Sequence, residues 1–134
     1  MLLPQTFKKN ERLCSKTLIK KLFSNGKWFF DYPFKIIWYS VDENNDLKEK
    51  HPAQVLFTIS KRNFKLAVHR NRLKRLMREG YRKNKYLLYE HLMIKNHKII
   101  LAFIYTGKVM TDYHTIEKKI NHAIRRLLQD IDKL

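Results

Sequence analysis

The stretch VHRNRLKRLMREGYRKNK, running from Val68 to Lys85, sets the reading of the whole chain. It lies in the longest uninterrupted helical signal, which extends from Leu66 to Tyr89. At about 100° per residue, with Arg70 at zero, Lys74, Arg78, Asn71, Arg82 and Arg75 fall between roughly 40° and 140°. Leu76, Gly80, Leu73 and Met77 occupy the arc from roughly 240° to 340°. One half of this helix is cationic and the other half packs on something apolar. Arg72 and Lys83 stray to roughly 200–220°, where Glu79 balances them in part.

Between Arg70 and Lys85 the cations are Arg70, Arg72, Lys74, Arg75, Arg78, Arg82, Lys83 and Lys85, against the single acid Glu79. A solvated, salt-bridged face would alternate its signs. Like charges at i,i+4 (Arg70/Lys74, Lys74/Arg78, Arg78/Arg82) instead oppose an isolated helix by roughly 0.2–0.5 kcal/mol each. Phosphates would neutralise that repulsion, and the excess of arginine suits bidentate phosphate recognition.

The flanking segments supply a sheet. Ser15–Asn25 is a short helix with Ser15 as N-cap, a Leu18, Ile19, Leu22, Phe23 stripe and Gly26 as its stop. Lys27–Phe30, Phe34–Val41 and Gln54–Lys61 read as strands; Val55, Phe57 and Ile59 alternate with Leu56, Thr58 and Ser60. Ile99–Tyr105 is almost wholly apolar, as a central strand is. Asp112–Ile131 closes the chain as a helix with one apolar stripe, Ile116, Ile120, Ala123, Ile124, Leu127, Leu128 and Ile131. The expected order is α-β-β-β-α-β-α, an α+β fold with a mixed four-stranded sheet packed against helices. No repeat or Pro/Gly/Ser linker interrupts it, so residues 1–134 read as a single domain.

The chain has 134 residues and a formal net charge of +17. Hydrophobic residues at 44% are enough for a core and exclude a disordered basic tail. A globular chain that repels itself this strongly has a polyanion as its expected partner, with nucleic acid foremost. Met1–Asn10 has no apolar targeting segment, and no apolar run approaches the roughly 20 residues of a membrane span. Cys14 stands alone, which fits a reducing cytoplasm and an inert thiol.

Composition also removes most enzyme classes. Gly26, Gly80 and Gly107 are isolated, so no glycine-rich phosphate loop exists. The acids of Asp42–Asp46 belong to VDENNDLKEKHP, a polar hairpin loop. His51, His69, His91, His97, His114 and His122 include no i,i+4 pair, and one cysteine completes no zinc site. No catalytic residue, metal ligand or small-molecule cofactor is expected in the chain itself. His69 reads as a surface residue or cap, and Phe29, Phe30, Tyr32 and Trp38 as core.

DNA and RNA remain alternatives at this point, as do a ribosomal type of structural RNA-binder and a DNA-binding regulator. A major-groove helix would expose several amides or hydroxyls, and this one offers only Asn71. A basic helix beside a sheet face carrying Thr58, Ser60 and Tyr39 favours a cleft for single-stranded or structured RNA.

Arg70-Asn71-Arg72, followed by Leu73-Lys74-Arg75 and Arg78-Glu79, resembles the RNR motif of the bacterial ribonuclease P protein component. The likeness covers most of the chain: Leu18–Phe23 with Gly26 resembles the family's first helix, and Phe57–Arg62 the strand before the motif. The resemblance implies a ribosomal protein S5 domain 2-like fold with a left-handed βαβ crossover. It implies a protein subunit for a catalytic RNA that removes the 5′ leader of precursor tRNA, with Mg²⁺ held by the RNA. Carried over by position, Lys61, Arg62, Asn71, Arg72, Arg75 and Arg82 would face the catalytic RNA. Ile19, Phe23, Ile37, Thr58, Ser60, Arg70, Lys74 and Arg78 would line the cleft for the leader. Ile19 and Ile37 stand where the family is usually aromatic, and the Asn63–Leu66 turn lacks the family's frequent glycine.

Overall fold

The structure, a computed structural model, describes residues 6–41 and 51–133. The expected Asp42–Asp46 loop lies outside the described residues. A short 3-10 turn at Lys9–Glu11 precedes α1 (Lys16–Asn25), β1 (Lys27–Asp31), β2 (Phe34–Val41), β3 (Ala53–Ile59), α2 (Ala67–Ile94), β4 (Lys98–Tyr105) and α3 (Tyr113–Asp132). The four strands form one sheet in the order β1-β2-β4-β3. β1 with β2 and β2 with β4 are antiparallel, while β3 with β4 is parallel. The mixed sheet of the α+β expectation is thus present, and α2 is the connection between its two parallel strands.

β4 is apolar along its length because both its faces are covered. Towards α2 and α3, Ile99, Leu101 and Phe103 pack with Phe34, Ile36 and Trp38 of β2, and with Leu73, Met77, Tyr81, Ile120 and Ile124 of the helices. On the opposite face Ile100 and Ala102 lie with Ile37 and Val41 under Leu18 and Leu22 of α1. Each such burial contributes roughly 1.5–3 kcal/mol relative to exposure. The sheet face under α1 is the smaller layer, and α1 does not span it.

Two element ends differ from the sequence pattern for a local reason, and Gly26 has a different role from the expected one. β3 ends at Ile59, and Ser60 turns its Oγ back to accept the Arg62 N–H at 3.1 Å. α2 runs on past Tyr89 to Ile94 because Leu88, Tyr89 and Leu92 extend its buried stripe. It stops at Asn96, which takes φ of 51°; there the Asn96 N–H donates to Met93 O and the His97 N–H to Leu92 O. That is a Schellman end built on Asn where a Gly is the usual signal. Gly26, by contrast, has φ −69° and ψ 149°, so it does not close α1 through left-handed geometry. Its role is space: a Cβ there would lie 2.7 Å from Ile37 Cγ2 and closer still to Leu22 O.

The segment before α1 is tied to both β3 and α2. Leu13 N–H donates to Val55 O at 2.9 Å and Gln54 Nε2 to Asn10 O at 2.9 Å. Glu11, 1% exposed, pairs with the Lys85 ammonium and also accepts from Tyr89 OH (2.7 Å) and Lys8 N–H (2.6 Å). Lys85 also donates to Thr6 O. Lys85, one of the eight cations of the run, is therefore buried and taken up by this pair. Burial alone would raise the Glu11 carboxyl, but Lys85, the Lys8 amide and the Tyr89 hydroxyl together hold it below the usual carboxylate range.

Candidate nucleic-acid interface

The first half of α2 carries the exposed charge. Asn71, Arg72, Arg75 and Arg78 line one concavity with Val68 and His69. All six are solvent-exposed, while Leu73, Met77 and Gly80 on the opposite side are buried against the core. Among the described residues no acid pairs with Arg72, Arg75 or Arg78. Arg72, which the wheel sets apart, lines this concavity with Asn71 and Arg75. Arg78 lines it too, and stands one turn from Lys74 on the edge that the resemblance gives to the leader. Arg82 is engaged: its guanidinium pairs with Glu79 at 2.5 Å and holds that carboxyl below its usual range.

Arg70 has a second task. Its Nη1 donates to Phe64 O at 2.6 Å and to Lys65 O at 2.9 Å. The guanidinium thereby closes the turn between β3 and α2, over the buried Phe64, without a glycine. Lys61 and Arg62 are exposed in that same turn. Lys74 is half-buried beside Arg70 on the edge of α2.

Thr58 is half-buried on β3, paired in register with Ile104 of β4. Ile19 is partly buried against the smaller core layer, and Phe23 is 49% exposed. Ile37 is 6% exposed, enclosed by Leu18, Leu22 and Ala102, so it is a packing residue beneath α1 and offers no stacking surface. The core expectation for Phe29, Phe30, Tyr32 and Trp38 also divides. Phe29 and Trp38 are buried, but Phe30 and Tyr32 are 54% and 67% exposed, because strand alternation turns Phe30 away from the face that holds Phe29. Val68 and His69 were not assigned to the interface from sequence, since neither is a phosphate ligand by type.

A model of the ribonuclease P family matches residues 7–128. The chain belongs to the ribonuclease P protein family. It is 32% identical over 130 residues to the ribonuclease P protein component of Porphyromonas gingivalis, covering 96% of this chain and 92% of that one. To the ribonuclease P protein component of Chlorobaculum tepidum it is 32% identical over 121 residues, covering 86% and 78%. The fold is similar to that of the ribonuclease P protein from Thermotoga maritima, with a TM-score of 0.65 at 19% identity over 86% of this chain and 96% of that one. It is equally similar to a mutant of the Staphylococcus aureus ribonuclease P protein, with a TM-score of 0.65 at 21% identity over 89% of each.

As a ribonuclease P protein, the chain is the RNA-binding component of a ribonucleoprotein endoribonuclease in 5′ maturation of tRNA, and the RNA performs the catalysis. Its partners are the ribonuclease P RNA and precursor tRNA. Among the described residues no three or more His, Cys, Asp or Glu side chains group as a metal site. No helix among them is long and apolar enough to cross a membrane.

Proposed function

We propose that the two exposed edges of α2 divide the RNA work of this ribonuclease P protein. The concavity of Asn71, Arg72, Arg75 and Arg78, with Lys61 and Arg62 in the preceding turn, docks on the catalytic RNA. The edge formed by Arg70 and Lys74, facing Thr58, Ser60, Ile19 and Phe23, receives the 5′ leader. Arg82, tied to Glu79, borders the first surface. The observation that carries this reading is the run of exposed arginines with no counterion among the described residues, a repulsive arrangement that phosphates relieve. Mg²⁺ is held by the RNA, and the complex works in the cytoplasm.

Fixed cations beside the cleavage site do part of what Mg²⁺ does in screening phosphate repulsion. The test is cleavage of precursor tRNA by the catalytic RNA with and without this protein, across a Mg²⁺ titration and with leaders of increasing length. The protein's benefit should be largest at low Mg²⁺ and should require leader nucleotides. A benefit independent of the leader would remove the cleft from the reading. Cleavage by RNA-free protein would overturn the assignment of catalysis to the RNA.

A further inference from the structure

Beyond the cleft, the same sheet face carries an aromatic cluster that stands half open to solvent. Trp28 and Phe30 of β1 are 58% and 54% exposed. Their rings meet edge to face, with centroids 5.6 Å apart and planes at 86°. Lys35 of β2 places its ammonium 4.6 Å from the Trp28 ring centroid and 5.8 Å from that of Phe30. Scattered exposed apolar side chains are ordinary, but two adjoining aromatics sharing one cation are a built feature.

The register connects this cluster to the leader cleft. Thr58 pairs with Ile104, Ile104 with Lys35, and Lys35 with Phe30. One row of side chains therefore crosses all four strands, from the edge beside α2 to β1. With strands about 4.8 Å apart, the row is roughly 14 Å long. α1 covers the rows beside it, where Leu18 and Leu22 lie over Ile37, Ile100 and Ala102. β1 is an edge strand, but α3 braces it from behind. Arg126 Nη1 donates to Phe30 O at 2.6 Å, its guanidinium lies 4.5 Å from the Phe29 ring centroid, and His122 Nδ1 stands 2.6 Å from Asp31 Oδ2. The two exposed rings thus project from a fixed backbone.

We infer that Trp28, Phe30 and Lys35 form a stacking platform for an unpaired leader base, at the point where the strand has crossed the sheet from Thr58. This rests on the reading of the cleft as the leader site. Two rings at right angles make a corner: a base lies flat on one and meets the edge of the other. Lys35 is the counterion for the phosphate of that nucleotide. Every base has a π face, so the platform is tolerant of leader sequence. The occupant is RNA and not a second copy of this chain, because two surfaces of a +17 protein repel.

The experiment uses the complex assembled with the catalytic RNA. Affinity is measured for precursor tRNAs whose leaders grow one nucleotide at a time, with the wild-type protein, Trp28→Ala/Phe30→Ala, and Trp28→Phe. The wild type should gain affinity in a second step, at the leader length that reaches β1. The double variant should lack that step by about tenfold, which is about 1.4 kcal/mol. Trp28→Phe, which keeps two rings, should retain it. Trp28 emission in the wild type should be quenched at the same length, while the buried Trp38 stays constant. The platform is overturned if the double variant gains affinity step for step with the wild type. It is overturned too if the loss is equal at every leader length, which would give the rings to the catalytic RNA, or if protein concentration alone quenches Trp28. If the wild type itself gains nothing from any leader, the cleft reading fails before the platform is reached.

Discussion

The buried pair Glu11–Lys85 allows a quantitative test of how the start of the chain is held. In Lys85→Met the apolar stem is kept and the ammonium is lost, leaving a carboxylate that is 1% exposed with the Lys8 amide and the Tyr89 hydroxyl as its donors among the described residues. Stranding one member of a buried ion pair costs about 3–5 kcal/mol. A domain of this kind has roughly 5–15 kcal/mol of stability in total, so the variant should remain folded but with a much reduced margin. With a urea slope of about 2 kcal/mol per M, a loss of about 4 kcal/mol lowers the midpoint by about 2 M. Adding Glu11→Gln removes the stranded charge and should recover most of that loss. The pH dependence supplies the sign. In the wild type the Glu11 carboxyl is held below 4.5, so its contribution is complete above that value and is lost as pH falls through the folded-state value. In Lys85→Met the burial that raises the carboxyl stays while the lowering by the ammonium is lost, so the carboxyl moves up from its wild-type value and acid protonates it sooner in the variant. The gap between wild type and variant should therefore narrow on acidification. Urea titrations followed by Trp38 fluorescence at neutral and acidic pH read both effects. A midpoint shift no larger than that of the exposed Lys83→Met, or a gap that does not change with pH, would refute this account of the pair.

Two further outcomes follow from the same structure. Arg72→Ala/Arg75→Ala should leave the fold intact and lower the magnitude of the log–log salt slope for binding the catalytic RNA by about 1.4–1.8, at roughly 0.7–0.9 per phosphate contact; an unchanged slope would remove both residues from the interface. Gly26→Ala separates space from backbone freedom, since at an allowed φ of −69° relief of chain entropy alone would stabilise by about 0.4–1 kcal/mol. The missing room beside Ile37 Cγ2 and Leu22 O should instead destabilise by about 1–3 kcal/mol, read as a lower melting temperature.

The order of elements was legible in the sequence because each had a local signature: Ser15 as a cap, the period of α3, the unbroken apolar run of β4. The cationic face of α2 was legible for the same reason, and the RNR motif carried the family. Features that depend on distant neighbours were not legible. Lys85 reads as one more surface cation until Glu11, 74 positions earlier, is placed against it. Ile37 reads as a cleft residue until α1 is laid over it. Nothing local distinguishes Phe29 from Phe30 as the buried partner; α3 decides, through Arg126. Glu79 has Arg75, Arg82 and Lys83 three or four positions away in the helix, and the folded structure pairs it with Arg82.

The strand order has a consequence in time. β2 and β3 are never neighbours; each waits for β4, which is inserted between them and is the last strand to be made. At roughly 5–20 residues per second, the 46 residues from Ile59 to Tyr105 take about 2–9 s to leave a ribosome. For that interval the nascent protein carries two unpaired strand edges, β2 and β3, and the still sheetless apolar stripe of α2. Its excess of positive charge keeps such half-made chains apart from one another. It also means that the arginines of α2 emerge from the ribosome, beside abundant RNA, before the sheet that will orient them exists.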